Sequence, residues 1–123
     1  EELDAALPTG HMAAFLDAVR AEAEAHGLRM AAFGHAGDGN LHIYLCTDDP
    51  DRAAFSARTE AVMQAAYPAA AALGGVLSGE HGVGLTKKAY LPQFLDDGAL
   101  RLMRQLKTVF DPRQILNPGK IFM

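Results

Sequence analysis

The sequence has one cysteine, Cys46, among its 123 residues. No disulfide can form within the chain, and a lone thiol fits a reducing compartment, most simply the cytoplasm. Charge of one sign is also scarce. Eleven lysines and arginines stand against 15 acidic residues, for a net charge of −4, and neither sign gathers into a long run. That excludes the basic footprint by which proteins hold DNA or RNA. No apolar run approaches the roughly 18 residues of a membrane-spanning helix, and the N-terminus lacks the basic-then-apolar order of a secretory signal. Internal repeats, linkers and low-complexity tracts are missing too. The chain starts at Glu1 and not at methionine, which leads us to expect a piece cut from a longer protein.

What is present is the composition of one globular domain covering residues 1–123, with 50% hydrophobic and 21% charged residues. A domain of this size buries roughly 65% of the surface of its unfolded chain, so it needs no structural metal merely to fold. A metal site would therefore imply function.

Residues 2–7 read as a short strand stopped by Pro8. Thr9 suits an N-cap, and Met12, Phe15, Leu16, Val19 and Ala23 form the apolar stripe of a first helix that Gly27 ends. Residues 28–36 and 41–46 read as two strands of a hairpin turned by Gly37-Asp38-Gly39-Asn40. Asp49 and Pro50 fit the N-cap and first position of a second helix, which runs through Phe55, Val62 and Ala66 to about Leu73 and should be kinked or interrupted at Pro68. Gly74-Gly75 breaks that pattern, Val76-Leu77 allows a short strand, and residues 78–84 form a glycine-rich loop. Leu100, Met103, Leu106 and Phe110 mark a third helix over 97–110, and 115–123 read as extended. The order strand, helix, strand, strand, helix, strand predicts an α+β fold. It is a ferredoxin-like split βαβ arrangement with an antiparallel sheet, helices on one face and a helical C-terminal extension.

The chemistry concentrates in two clusters. If Asp38-Gly39 is a two-residue turn, His35 stands directly opposite His42, with Cβ atoms about 4.5–5.5 Å apart, close enough for two imidazoles to share a metal. Phe33, His35, His42 and Tyr44 then share one face, and Gly34, Ala36, Leu41, Ile43 and Leu45 the core face. In the second cluster, Gly79-Glu80-His81-Gly82, Glu80 supplies a third ligand. Two imidazoles and a carboxylate suit zinc, manganese or ferrous iron and match calcium poorly. His81 beside them is a candidate general base, because imidazole titrates near neutral pH. Two strand histidines and a solvated loop glutamate would look the same without any ligand. His11 and His26 read as surface residues. Lys87, Lys88 and Lys120 read as solvated cations able to meet a phosphate or carboxylate.

Three motifs, Phe-Gly-His-Ala-Gly-Asp-Gly-Asn-Leu-His at 33–42, Gly-Gly-Val-Leu-Ser-Gly-Glu-His-Gly-Val-Gly at 74–84 and Asp-Pro-Arg-Gln-Ile-Leu-Asn-Pro-Gly-Lys at 111–120, resemble the C-terminal domain of FAD-linked oxidases. These are the D-lactate, glycolate and D-2-hydroxyglutarate dehydrogenase-like flavoproteins of the vanillyl-alcohol-oxidase group. The resemblance implies a cap on a flavin held mainly by an N-terminal FAD domain of the same parent protein, absent from this chain. It implies a fragment that is inert alone, and oxidation of a D-2-hydroxy acid by hydride transfer to FAD. It further implies His35, His42 and Glu80 as ligands of a divalent metal, zinc or manganese, and His81 as catalytic base. Asn117 and Lys120 fall in a tail facing the flavin, and Tyr44 and Asn40 lie at substrate-contacting positions. Tyr44 stands where 2-hydroxyglutarate-type members carry asparagine, and Glu2 lies near the place of their substrate-binding lysine. A cap without its partner would expose faces that promote homo-oligomers. Two other readings use the same residues: a stand-alone two-histidine, one-carboxylate metalloenzyme, or a non-catalytic ferredoxin-like small-molecule binding module.

Overall fold

The computed structural model describes residues 1–122, which divide into two compact units, residues 1–81 and 82–122. Each is built separately from the chain.

The first unit carries a three-stranded antiparallel sheet of β1 (Glu2–Ala6), β2 (Arg29–His35) and β3 (Asn40–Cys46), in the order β1-β3-β2. A single antiparallel bridge joins Ala6 to Val76. The fourth strand expected at 76–77 is thus present as one bridge beside β1, and the ferredoxin-like order is completed in reduced form. Helices α1 (Met12–Ala25) and α2 (Arg52–Ala72) provide the apolar layer through Phe15, Val19 and Ala23 of the first and Val62, Met63, Ala66, Tyr67 and Ala70 of the second. Leu3, Ala5, Leu41, Ile43 and Leu45 are the buried apolar strand residues. Their alternation with Glu2, Asp4, His42 and Tyr44 gives β1 and β3 one apolar and one polar face.

Several expectations need correction. The hairpin has no two-residue turn: residues 36–38 form a 3₁₀ turn and Gly39 adopts a left-handed φ of 74°. A Cβ at Gly39 would lie 1.9 Å from the Leu7 carbonyl oxygen, so only glycine fits there. The longer turn moves the register by two residues, pairing His35 with Asn40 and Phe33 with His42. His35 and His42 are therefore diagonal neighbours, not opposite, and because the shift is even they keep the same face. Thr9 is not an N-cap, since a 3₁₀ turn at Thr9–His11 precedes α1. Asp51, not Asp49, caps α2, its carboxylate accepting from the amides of Ala53 and Ala54 at 2.9 and 3.0 Å. Pro68 does not interrupt α2. It lies in the last turns, among alanines that favour the helix.

In the second unit α3 (Asp97–Phe110) is capped by Asp96, whose carboxylate accepts from the Ala99 amide at 2.8 Å. Its apolar side is exposed, with Leu102, Leu106, Val109 and Phe110 between 50% and 79% accessible. Lys87, expected in solvent, is buried; its turn closes through the Tyr90 amide on the Lys87 carbonyl. At the end of α3, Asp111 is buried. It pairs with Lys107 and accepts from the amides of Ile115 and Leu116 at 3.0 Å. The Lys107 hydrogen bond chiefly holds the Asp111 carboxyl below its ordinary value; burial opposes this and the two amides assist. No helix among the described residues is long and apolar enough to cross a membrane.

Candidate functional site

The polar face of β1 and β3 holds a carboxylate with a structural task. Asp4 is 1% exposed, and it pairs with His42 across the β1–β3 ladder. Its oxygens accept from the Ser78 hydroxyl at 2.5 Å and from the amides of Gly79 (3.1 Å), Glu80 (3.4 Å) and His81 (3.1 Å). Successive amides converging on one buried carboxylate lock the 78–81 loop over the sheet. Close approach is made possible by Gly79, where a Cβ would stand 2.0 Å from the Asn40 side-chain oxygen.

The loop thereby presents Glu80 and His81 to the strand histidines. Glu80 Oε1 lies 2.8 Å from His42 Nε2 and 3.6 Å from His35 Nδ1. Donor atoms of His35, His42 and Glu80 all fall within 4.8 Å of one another. The three residues expected as ligands are thus brought together from β2, β3 and the loop, and the His35 and His42 rings meet edge-on at 5.9 Å. His81 stacks on His42 with centroids 4.7 Å apart and planes 16° from parallel. Tyr44 stacks on Phe33 at 5.2 Å. Burial first, and then the charge and hydrogen bond of Glu2, push the Tyr44 hydroxyl above its ordinary value.

Two residues of this site escaped the sequence reading as site members. Asp4 was not singled out, and Glu2 was noticed only for its place near a family position. Glu2 Oε1 lies 3.2 Å from His81 Nδ1 and 3.5 Å from His42 Nδ1. The signal was there in Glu2-Leu3-Asp4-Ala5, whose acids alternate with apolar residues and must share a face.

The donor set suits a divalent cation. Two imidazoles and one carboxylate are borderline-soft ligands for zinc, manganese or iron. His42 is 6% exposed, and its Nδ1, like Glu2 Oε1 and Asn40 Oδ1, is buried without a formed hydrogen bond. Buried polar atoms left in that state mark a place prepared for further partners.

Asn40 is packed beneath the loop and pairs with His35 on one side and Ala6 on the other. Asn117 and Lys120 belong to the second unit. Asn117 has a positive φ of 46°, and Lys120 donates to the Pro118 carbonyl at 3.2 Å. With Arg104, Lys107 and Phe122 they line a cavity of about 390 Å³.

Residues 1–121 match the profile of a family described as FAD linked oxidases, C-terminal domain. Among curated proteins, the chain is 46% identical over 122 residues to a D-lactate dehydrogenase of Anaerostipes hadrus, covering 98% of this chain and 26% of that protein. It is 41% identical over 119 residues to the glycolate oxidase subunit GlcD of Bacillus subtilis, covering 97% and 25%. It is 36% identical over 122 residues to a D-2-hydroxyglutarate dehydrogenase of Stutzerimonas stutzeri, covering 97% and 26%. The chain spans about a quarter of the length of these relatives.

Proposed function

Because the chain belongs to the FAD-linked oxidases, as their C-terminal domain, we propose that it is the substrate- and metal-binding cap of an FAD-dependent oxidoreductase acting on a D-2-hydroxy acid. The convergence of His35, His42 and Glu80 beside His81 is the observation that carries this reading. Flavin would be held mainly by another domain of a longer polypeptide, with residues 1–123 as a single cap domain and Asn117 and Lys120 facing the flavin. The exposed apolar side of α3 is a surface such a domain would cover. The lone thiol of Cys46 favours the cytoplasm.

His35, His42 and Glu80 would hold the divalent cation, zinc or manganese. When bound, FAD supplies a hydride acceptor and the cation supplies Lewis-acid polarisation of hydroxyl and carboxylate oxygens. The chain's own residues do the rest. His81 takes the proton of the substrate hydroxyl, so that the two electrons and the hydrogen on Cα can leave together as hydride and the alcohol becomes a ketone or aldehyde. Asp4 holds the loop that carries His81 and Glu80. Tyr44, set on Phe33, contributes a substrate contact, whereas Asn40, buried against Gly79, supports the loop from beneath. In the flavin-loaded polypeptide containing this domain, His81→Ala should slow flavin reduction by D-lactate, glycolate or D-2-hydroxyglutarate by about 10²–10⁴-fold in rapid-mixing measurements. Reduction at the wild-type rate would remove His81 as base.

A further inference from the structure

The two residues assigned above to the substrate, His81 and Tyr44, share one neighbour. Glu2 pairs with Tyr44 across the β1–β3 ladder, and its Oε1 lies 3.2 Å from His81 Nδ1. A small molecule that touches both His81 and Tyr44 therefore comes within reach of the Glu2 carboxylate. The other acids on this face are engaged elsewhere. Asp4 is occupied by the Ser78 hydroxyl and the loop amides, and Glu80 closes on His42 and His35. Glu2 Oε1 is buried with no hydrogen bond formed.

Positive charge is missing where it would be needed to offset Glu2. The first unit contains no lysine and four arginines. Arg20, Arg52 and Arg58 belong to α1 and α2, the helices of the apolar layer. Arg29 is on the face of the site but opposite Cys46, about 13 Å along β2 from Phe33, and its guanidinium donates to Asp48 at 2.7 Å. What lies beside Glu2 is apolar surface: Phe33, 59% exposed, stacks on Tyr44 at 5.2 Å, and Ala31 pairs with Tyr44.

We propose that Glu2 is a specificity-determining residue that restricts the substrate to 2-hydroxy acids with an uncharged side chain and rejects those carrying a second carboxylate. The inference rests on the function proposed above and names the substrate class within it. With the substrate hydroxyl at His81, a second carboxylate extending over Phe33 and Tyr44 would meet a like charge in a half-buried setting and find no cation to bind it. An apolar group meets no such penalty, and the Phe33–Tyr44 stack gives it surface to cover. D-lactate and glycolate fit this arrangement; D-2-hydroxyglutarate does not.

The test compares D-2-hydroxyglutarate with its 5-amide, which has nearly the same length and shape without the second charge, in the flavin-loaded polypeptide containing this domain. Wild type should favour the amide in kcat/KM by about tenfold or more, and the preference should narrow as salt is raised. Glu2→Gln should reduce the preference several-fold, and Glu2→Lys should turn it toward the diacid. Each value is a ratio of two substrates on one protein, so general damage from a substitution cancels. Equal use of the pair by wild type, or a preference for the diacid, overturns the proposal even if neither variant folds. So does a preference that Glu2→Gln leaves unchanged, which would put the discriminating charge elsewhere. Failure of the proposed function looks different: flavin that neither D-lactate, glycolate nor either member of the pair reduces would remove that function, and this inference with it.

Discussion

Replacing Asp4 by asparagine would keep the shape of the side chain and remove the charge on which the Ser78 hydroxyl and three consecutive loop amides converge. A hydrogen bond to a charged group contributes about 1.5–3 kcal/mol, and a buried donor left unmatched costs a similar amount. Asp4→Asn should therefore lower stability by about 2–3 kcal/mol in urea unfolding and weaken zinc binding, since Glu80 sits on the loop that loosens. An unchanged unfolding midpoint would show that the loop is held by something else. The proposed ligands and base separate in the same measurement. His35→Ala should abolish tight zinc binding in calorimetric titration, while His81→Ala, which removes no ligand, should leave it within a few-fold of wild type. Loss of zinc in His81→Ala would make that residue a ligand.

At the scale of elements, the α2 cap and the site loop each offer a test. Asp51 accepts from the two amides that start α2, so Asp51→Ala should cost about 1 kcal/mol. Asp49 accepts from the Asp51 amide and pairs with Arg58 at the surface, so Asp49→Ala should cost less, as exposed pairs contribute little. Equal effects would return the cap to the earlier position. In the loop, a methyl at Gly79 would overlap the Asn40 carboxamide. Gly79→Ala should destabilise by about 1–3 kcal/mol, as overpacking does, and the double variant with Asn40→Ala should recover most of it, because truncation at 40 vacates the space. Additive effects in that double-mutant cycle would deny the contact.

For the molecule as a whole, acid should act on the second unit through Asp111. Its folded-state value is depressed, first by the Lys107 hydrogen bond, so folding favours the ionised form. The resulting stability is present above the ordinary carboxylate value of about 3.9 and is lost as pH falls through that value to the depressed folded one. Hydrogen exchange at the Ile115 and Leu116 amides, which Asp111 accepts, should lose protection over this range, and Asp111→Asn should flatten the dependence. The apolar side of α3 gives a second prediction. With Val109 and Phe110 73% and 79% exposed, the chain alone should self-associate as concentration rises in sedimentation velocity, and Phe110→Glu should reverse this.

Much of this protein follows from local pattern. The stripe of Phe15, Val19 and Ala23, the apolar alternation of Leu41, Ile43 and Leu45, and the periodicity of α3 are short-range signals. They placed the helices and the two-faced strands within a few residues, because 3.6- and 2-residue periods act through neighbouring side chains. The meeting of His35, His42 and Glu80 was legible from the same alternation and from glycines around Glu80. The register was not, since the Gly37–Asn40 turn admits several lengths, and the choice depends on Gly39 packing against the Leu7 carbonyl, a contact distant in sequence. Nor were the tasks of Glu2 and Asp4. They follow from β1 pairing with β3 and from the loop folding back across both strands, which only the long-range closure of the sheet decides.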